Sequence, residues 1–373
     1  MDFKTEDLVR PQIFVVLFLL FIFVGMVSNK LMDDLGHSMS HWFFLYVTAG
    51  LAFYCAGCRF TITISDRILL PVFTLFAFLM SYGEFGLLSV PIIASILLIY
   101  RHWDLIERHC GWISLLGILL VLGNLVLVGT LPVIDAGIRF ESQTVLLLFG
   151  YTLAVLGVNY LFIKDPKRGA ICAGLLAISI TLYGFRSYLL ILLLSLGIQS
   201  IMLGRLRMRM MVALAAMAFL VVLVGGSLIV SNLDQDWHLS SFSLLFYRVG
   251  FTTHMFDLAC RASGLWGALH GQIWTMPSTS PLIGGYLVGN GNITTTIIGP
   301  LVLDGGILEV PLMAFLGASI NSLYQASKKD GVFVPLYSLF LSFLLISIEI
   351  SPVPIYFFIL LFVLMVLNRK NNK

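Results

Sequence analysis

Residues Ile13 to Val27 read IFVVLFLLFIFVGMV, fifteen positions without one charged or hydrogen-bonding side chain. The run has the apolar character of a membrane-spanning helix, and it continues into Asn29 and Lys30 without the small-residue cleavage site of a secretory signal. Similar runs recur along almost the whole chain, which has 373 residues, 59% of them hydrophobic and 11% charged. This composition excludes an ordinary soluble domain and a disordered chain, and it indicates an integral membrane protein.

The apolar runs predict an all-α fold, a polytopic transmembrane helix bundle of about twelve spans. We interpret residues 1–373 as a single integral membrane domain. Glycine, proline and polar residues interrupt stretches that are too long for one span, so tight joins are expected at Ser81–Glu84, Gly184–Arg186 and Ser351–Pro352. The predicted spans cover approximately residues 12–29, 42–58, 67–82, 85–100, 112–130, 144–163, 170–185, 187–203, 210–230, 306–325, 332–350 and 353–367.

The distribution of basic residues predicts the topology. With both termini in the cytoplasm, five of the 22 Lys and Arg residues fall outside and the other 17 fall on cytoplasmic segments, in keeping with the positive-inside rule. We therefore expect a multi-pass protein of the cell (inner or plasma) membrane. The net charge of +3 is too small to indicate a nucleic-acid partner.

One predicted outer segment, residues 231–305, is far longer than the others. Loops of this length are uncommon unless they are functional. Phe242 to Trp274 is rich in apolar and aromatic residues, which predicts helical segments that lie on or dip into the outer leaflet, and a Pro/Ser/Gly/Asn stretch follows from Pro277 to Asn292. We expect this extracytoplasmic loop to cover a cavity in the bundle, where an active site would lie.

Four of the five outer basic residues are arginines, which this topology disfavours. Arg139 lies in a short outer loop, Arg186 in a tight turn between two apolar helices, and Arg248 and Arg261 in the long loop. An arginine at membrane depth is costly unless it is paired, reaches the surface or faces water. Two interpretations stay open: each arginine extends to the outer headgroups, or several bind one polyanion such as a diphosphate, which the planar guanidinium holds bidentately.

Acid and base candidates are fewer. If the long loop is helical, His254, Asp257 and Arg261 fall at i, i+3 and i+7 on one face, where they could orient an attacking hydroxyl or form an ordinary ion pair. Asp304, in Leu303-Asp-Gly-Gly-Ile307, suits a helix cap or a turn that faces a substrate. Cys55 and Cys58 have CxxC spacing but lie inside an apolar run with no second pair, so a zinc site is not indicated. The sequence also has no nucleotide-binding loop or metalloprotease motif, and we expect no cofactor and no metal.

Four motifs give the chain a resemblance to a known family. They are Leu131-Pro132 followed by Arg139, Gly184-Phe-Arg-Ser187 running into the helix Tyr188 to Leu196, the late outer loop carrying Arg248, and Thr294–Thr296 followed by Leu303-Asp-Gly-Gly306. In these features the chain resembles the oligosaccharide repeat-unit polymerases of the O-antigen polymerase type, which are related to the O-antigen ligases.

The resemblance implies an inverting, metal-independent glycosyl transfer outside the cytoplasm. A growing glycan leaves its polyprenyl diphosphate and joins a hydroxyl of the next lipid-linked repeat unit. The implied partners are the polyprenyl-diphosphate-linked oligosaccharide donor and acceptor, membrane lipids, and flippase and chain-length regulator proteins. The hypothesis assigns catalytic roles to Arg186, Arg248, His254 and Asp257, and substrate-binding roles to Arg139, Arg261 and Asp304.

Two alternatives remain at this stage. A ligase of the same group would differ only in its acceptor, which the sequence does not specify. A lipid-linked oligosaccharide flippase or transporter is disfavoured, because the two halves of the chain show no internal repeat and the candidate charges cluster at the predicted outer face rather than at the bilayer midplane.

Overall fold

The computed structural model describes residues 5–31, 38–133, 138, 142–205, 241–276, 278–289, 291–350 and 353–371. Within these ranges the regular secondary structure is helical and no strand is present. Five short 3-10 helices accompany the α-helices, among them Thr5–Val9, Gln272–Thr275 and Gly306–Leu308. The α-helices are α1 (Ile13–Leu31), α2 (His41–Gly57), α3 (Asp66–Phe85), α4 (Ser89–Arg101), α5 (Trp103–Arg108), α6 (Cys110–Val128), α7 (Val145–Lys164), α8 (Pro166–Thr181), α9 (Arg186–Met202), α10 (Ser241–Ser263), α11 (Ser280–Val288), α12 (Ile298–Gly305), α13 (Leu312–Lys329), α14 (Val334–Ile346) and α15 (Val353–Asn371).

The helices follow the apolar runs of the sequence. Eleven of the twelve predicted spans overlap a helix, and the ninth, 210–230, lies outside the described residues. Four helices in the described part of the chain are long and apolar enough to cross a membrane: α1, α6, most of α7 and most of α15. The all-helical fold is therefore confirmed for the described residues, while the span number and the cytoplasmic position of both termini stay predictions.

Local signals explain the helix boundaries. Ser40, Thr144 and Asp165 cap α2, α7 and α8 by accepting a hydrogen bond from a backbone N–H in the first turn of each helix. The first predicted join lies a little later than expected, because α3 continues through Glu84 and ends at Gly86, whose φ of 54° ends the helix.

The chain divides into two compact units. The first contains Met1–Val9, His102–Leu245 and Gly331–Ser342, and the second contains Arg10–Arg101, Phe246–Asp330 and Phe343–Lys373. Arg139 and Arg186 belong to the first unit by their position in the chain. The long-loop candidates from Arg248 to Asp304 belong to the second.

Small residues allow close helix packing in each unit. In the first, α6 packs along α7, and Gly117 lies directly against the backbone of Gly150 and Ala154. In the second, α13 packs along α2, where Gly57 lies against the backbone of Ala314. A side chain at either glycine would push two backbones apart, so these positions favour glycine, as is common between membrane helices.

Candidate active site

The turn before Arg186 is fixed by a buried polar network in the first unit. Gly184 has a φ of 70°, which is suited to glycine, and the turn leads directly into α9 at Arg186. The buried Tyr183 hydroxyl donates to the carbonyl of Val121 at 2.6 Å and accepts from Nδ2 of Asn124 at 3.0 Å. The start of α9 is thereby tied to the end of α6.

The same network reaches the loop that contains Arg139. Asn124 Nδ2 also donates to the carbonyl of Ser142 at 3.1 Å, and its Oδ1 accepts from the Thr144 hydroxyl. Arg139 itself lies outside the described residues. The carbonyl of Ile138, just before it, accepts from the amide of Ser142 at 2.9 Å. Ser142 is therefore joined through Asn124 to the turn that precedes Arg186, and Ile138 is joined to Ser142.

Arg186 occupies the first position of α9 and is half-buried. The N-cap, Phe185, supplies no side-chain cap, and the first turn contains no acidic residue. The first N–H groups of a helix lack intrahelical partners, and the positive end of the helix dipole disfavours a cation by about 0.3–1 kcal/mol. A cation combined with an uncapped helix start is an arrangement that a bound anion stabilises.

In the second unit, α10 carries His254, Asp257 and Arg261 on one helix, as the sequence predicted. Asp257 is fully buried, and its Oδ1 accepts from the amide of Ser40 at 2.9 Å and from the Ser40 hydroxyl at 2.5 Å. Its Oδ2 lies 2.7 Å from Nη2 of Arg261, which also donates to the carbonyl of Ser38 at 2.7 Å. Oδ1 of this carboxylate therefore joins α10 to the start of α2, while Oδ2 forms an ion pair with Arg261 on the same helix without making a hydrogen bond.

This geometry distinguishes the two acid and base candidates. Asp257 already makes an ion pair and two hydrogen bonds, so taking a proton from a substrate hydroxyl would disrupt a buried structural contact. His254 lies about one turn earlier on α10 and is half-buried. The contacts of Asp257 therefore argue against it as the base and leave His254 as the candidate.

Arg248 forms a second cationic position on α10. It makes an ion pair with Glu349, a residue between α14 and α15, and the two side chains are 46% and 39% exposed. Thirteen residues separate Arg248 from Arg261, which corresponds to about 20 Å along the helix. The two arginines therefore serve different places, and we do not expect them to bind the same phosphate group.

Asp304 holds a strained turn. Its buried carboxylate accepts from the amides of Gly271 at 2.8 Å and Ile273 at 3.4 Å, and its carbonyl accepts from the amide of His270 at 3.0 Å. Among the described residues, His270 is the single non-glycine residue with a positive φ, 49°. Asp304 thus fixes the backbone of residues 268–273, and it does so from the last turn of α12 rather than from a helix start.

Glu309 is a site residue that the sequence did not rank. It lies in the turn between Gly306–Leu308 and α13, outside the helices, and its Oε1 accepts from Nε1 of Trp274 at 2.9 Å. The one sequence signal was a carboxylate inside an apolar segment.

The comparisons with known proteins decide the family. A family model described as "Putative O-antigen polymerase" matches residues 7–362 of the chain. The chain belongs to the O-antigen polymerase family. It is also similar to two proteins of Methanocaldococcus jannaschii, both named as uncharacterized. MJ0420 is 25% identical over 385 residues, 98% of this chain and 94% of that protein, and MJ0419 is 23% identical over 293 residues, 71% of this chain and 79% of that protein. No solved structure matches significantly.

The family match confirms the resemblance drawn from the outer motifs. In this O-antigen polymerase family member, the turn before Arg186 and the residues flanking Arg139 are joined in the first unit. His254, Asp257 and Arg261 share α10 in the second unit, with Arg248 at a separate place on that helix and Asp304 beneath the 268–273 turn. In the described ranges, His, Cys, Asp and Glu side chains form no group of three that could hold a metal ion.

Proposed function

We propose that this protein is a membrane glycosyltransferase that polymerises lipid-pyrophosphate-linked oligosaccharide repeat units on the extracytoplasmic face of the cell membrane, without a metal ion. The family assignment and the uncapped, cationic start of α9 at Arg186 support this proposal. The start of α9 is the single structural observation that supports the proposal most. The donor carries its own leaving group, so the reaction requires no nucleotide.

The proposed step is a substitution at the anomeric carbon of the donor glycan. A hydroxyl of the acceptor repeat unit forms the new glycosidic bond while the bond to the diphosphate oxygen breaks. The polyprenyl diphosphate leaves with the electron pair, and the hydroxyl proton passes to a base. Negative charge develops on the diphosphate as the bond breaks, and fixed cations and N–H groups aimed at that charge are commonly the largest catalytic contribution.

In this proposal Arg186, together with Arg139, binds the donor diphosphate. The acceptor also carries a lipid diphosphate, so more than one cationic position is needed, and the exposed Arg248 is suited to this task. His254 is the proposed base. Asp257 and Arg261 position α10 through Ser38 and Ser40.

Asp304 supports the 268–273 turn within residues 231–305, which in this proposal form the outer loop over the site. Its hydrogen bonds hold the backbone of residues 268–273. Substrate binding by this carboxylate would therefore be indirect, through the shape of the turn.

The proposal is tested with the purified protein in nanodiscs, given a lipid-pyrophosphate-linked oligosaccharide and EDTA, with products separated on a gel. A ladder of products that persists in EDTA is the expected result. A single shifted product that requires an added acceptor would indicate a ligase. Transfer of the lipid between the leaflets of a liposome, without any glycan product, would indicate a flippase and overturn the proposed reaction.

A further inference from the structure

A groove at the basic end of α6, α7 and α8 is lined by none of the candidate residues of the proposed reaction. It has a volume of about 610 Å³ and is entirely within the first unit. One wall is apolar and consists of Trp112, Leu115, Leu161 and Ile171. Trp112 and Ile171 are 75% and 65% exposed, so this wall is open to the surroundings of α6 and α8.

The mouth of the groove carries an excess of positive charge. Arg108, Lys164 and Arg168 line it, and Asp165 is the one carboxylate among the lining residues. Nε of Arg168 lies 3.2 Å from Asp165, but its side chain is 80% exposed, and Asp165 also accepts from the Arg168 amide as the N-cap of α8. Lys164 Nζ also donates to the carbonyl of Glu107, which is a neutral acceptor. Arg108 and Lys164 therefore add two positive charges that no further carboxylate among the lining residues balances.

The first turn of α6 faces the same groove. His109, the residue before α6, supplies no side-chain cap, and the first turn contains no acidic residue. Cys110, Gly111 and Trp112 of this turn line the groove. A Cβ placed on Gly111 would meet one atom, Cδ1 of Leu161, at 3.9 Å, so the space in front of this turn is open. Uncapped N–H groups at a helix start favour an anion.

These features together fit a ligand that has an anionic head and an apolar tail. Helix α6 and most of α7 are long and apolar enough to cross a membrane. An exposed tryptophan at the end of such a helix is typical of the membrane interface, and basic pockets between membrane helices bind anionic lipid headgroups. The basic side of this groove also lies on the predicted cytoplasmic face, opposite to Arg186.

We propose that this groove binds one anionic phospholipid. The headgroup phosphate lies against the first turn of α6 between Arg108, Lys164 and Arg168, and an acyl chain follows Trp112, Leu115 and Ile171. A zwitterionic lipid binds more weakly, because its ammonium group is repelled by the excess of cations. The inference is independent of the glycosyl transfer reaction.

Native mass spectrometry of the full chain in neutral detergent tests the site, with phosphatidylglycerol and phosphatidylcholine titrated in parallel. The wild type should retain phosphatidylglycerol preferentially. The double variant R108Q/R168Q should lose about 30-fold in phosphatidylglycerol affinity, since each basic residue near an anionic lipid contributes about fivefold. The matched control is K328Q/K329Q, which removes two charges from the last turn of α13 and should bind as the wild type does.

A second variant separates the shape of the groove from its charge. Gly111→Leu keeps all the cations but fills the space in front of the first turn of α6, and it should also abolish the preference. Inorganic phosphate should not displace the lipid, because it lacks the apolar chain. Equal retention of both lipids by the wild type, equal losses in R108Q/R168Q and the control, or displacement by phosphate would overturn the proposal.

Discussion

Replacing Arg248 or its partner Glu349 tests whether Arg248 binds a substrate or only forms an ion pair. The two variants R248Q and E349Q break the same ion pair. If Arg248 acts only by pairing, they should behave alike. If Arg248 binds a lipid diphosphate, only R248Q should stop glycan transfer, because E349Q leaves the guanidinium in place.

The exposure of Arg248 and Glu349 determines how much each variant should change the stability of the fold. With side chains 46% and 39% exposed, the ion pair contributes about 0–1 kcal/mol to folding. Helix α10 is held independently, by the Ser28 hydroxyl that donates to the carbonyl of Phe246 at 2.7 Å and by the contacts of Asp257. Both variants should therefore unfold within a few degrees of the wild type. Loss of a cation that hydrogen-bonds the acceptor's diphosphate costs about 1.5–3 kcal/mol of acceptor binding, which is about 10–10²-fold in rate at limiting acceptor.

The assay measures the initial rate of ladder formation and the thermal unfolding midpoint for each variant in the same detergent. At limiting acceptor we expect R248Q to lose about 10–10²-fold in rate, the scale of a lost hydrogen bond to a charged group, and E349Q to stay within about threefold of the wild type. Equal rates for the two variants would refute the proposed role of Arg248. A fall in rate that parallels a fall in stability would refute it as well.

Two further predictions concern stability. Gly117→Ala should destabilise the protein by about 1–3 kcal/mol, because its Cβ would overlap the backbone of α7. Gly123→Ala on the same helix, with nothing within 4 Å of the added Cβ, should not, and thermal unfolding compares the two variants. Asp304→Asn leaves a buried backbone N–H unpaired, costing about 1–3 kcal/mol, and limited proteolysis within residues 264–276 should become faster. An unchanged rate of proteolysis would argue against the hydrogen bonds described.

The helices could be predicted from the sequence because each depends on local properties. An apolar run of sufficient length, a capping Ser, Thr or Asp, and a glycine at the end fix most boundaries. The join near residue 84 was placed too early for a similar local reason. The turn uses the positive φ of Gly86, and the sequence alone gave no preference between Gly83 and Gly86.

The contacts of the candidate residues depend on long-range packing and were not predictable. Ser40 and Asp257 are separated by 217 residues, and Arg248 and Glu349 by 101. The sequence indicated that Asp257 could pair with Arg261 on α10, since that pair is local. It contained no signal that Ser40 would occupy the other oxygen, so the distinction between His254 and Asp257 required the structure.

The central claim is that a cation at the start of α9 stabilises the diphosphate during glycan transfer. Replacing Arg186 tests this claim most directly. The measurement is the rate of ladder formation by R186A in nanodiscs, compared with R205A. Arg205 follows the other end of α9 and donates to the carbonyls of Phe162 and Ile163. We predict that R186A inserts and folds but forms no ladder, while R205A forms the ladder at close to the wild-type rate. A ladder from R186A at the rate of R205A would contradict the account.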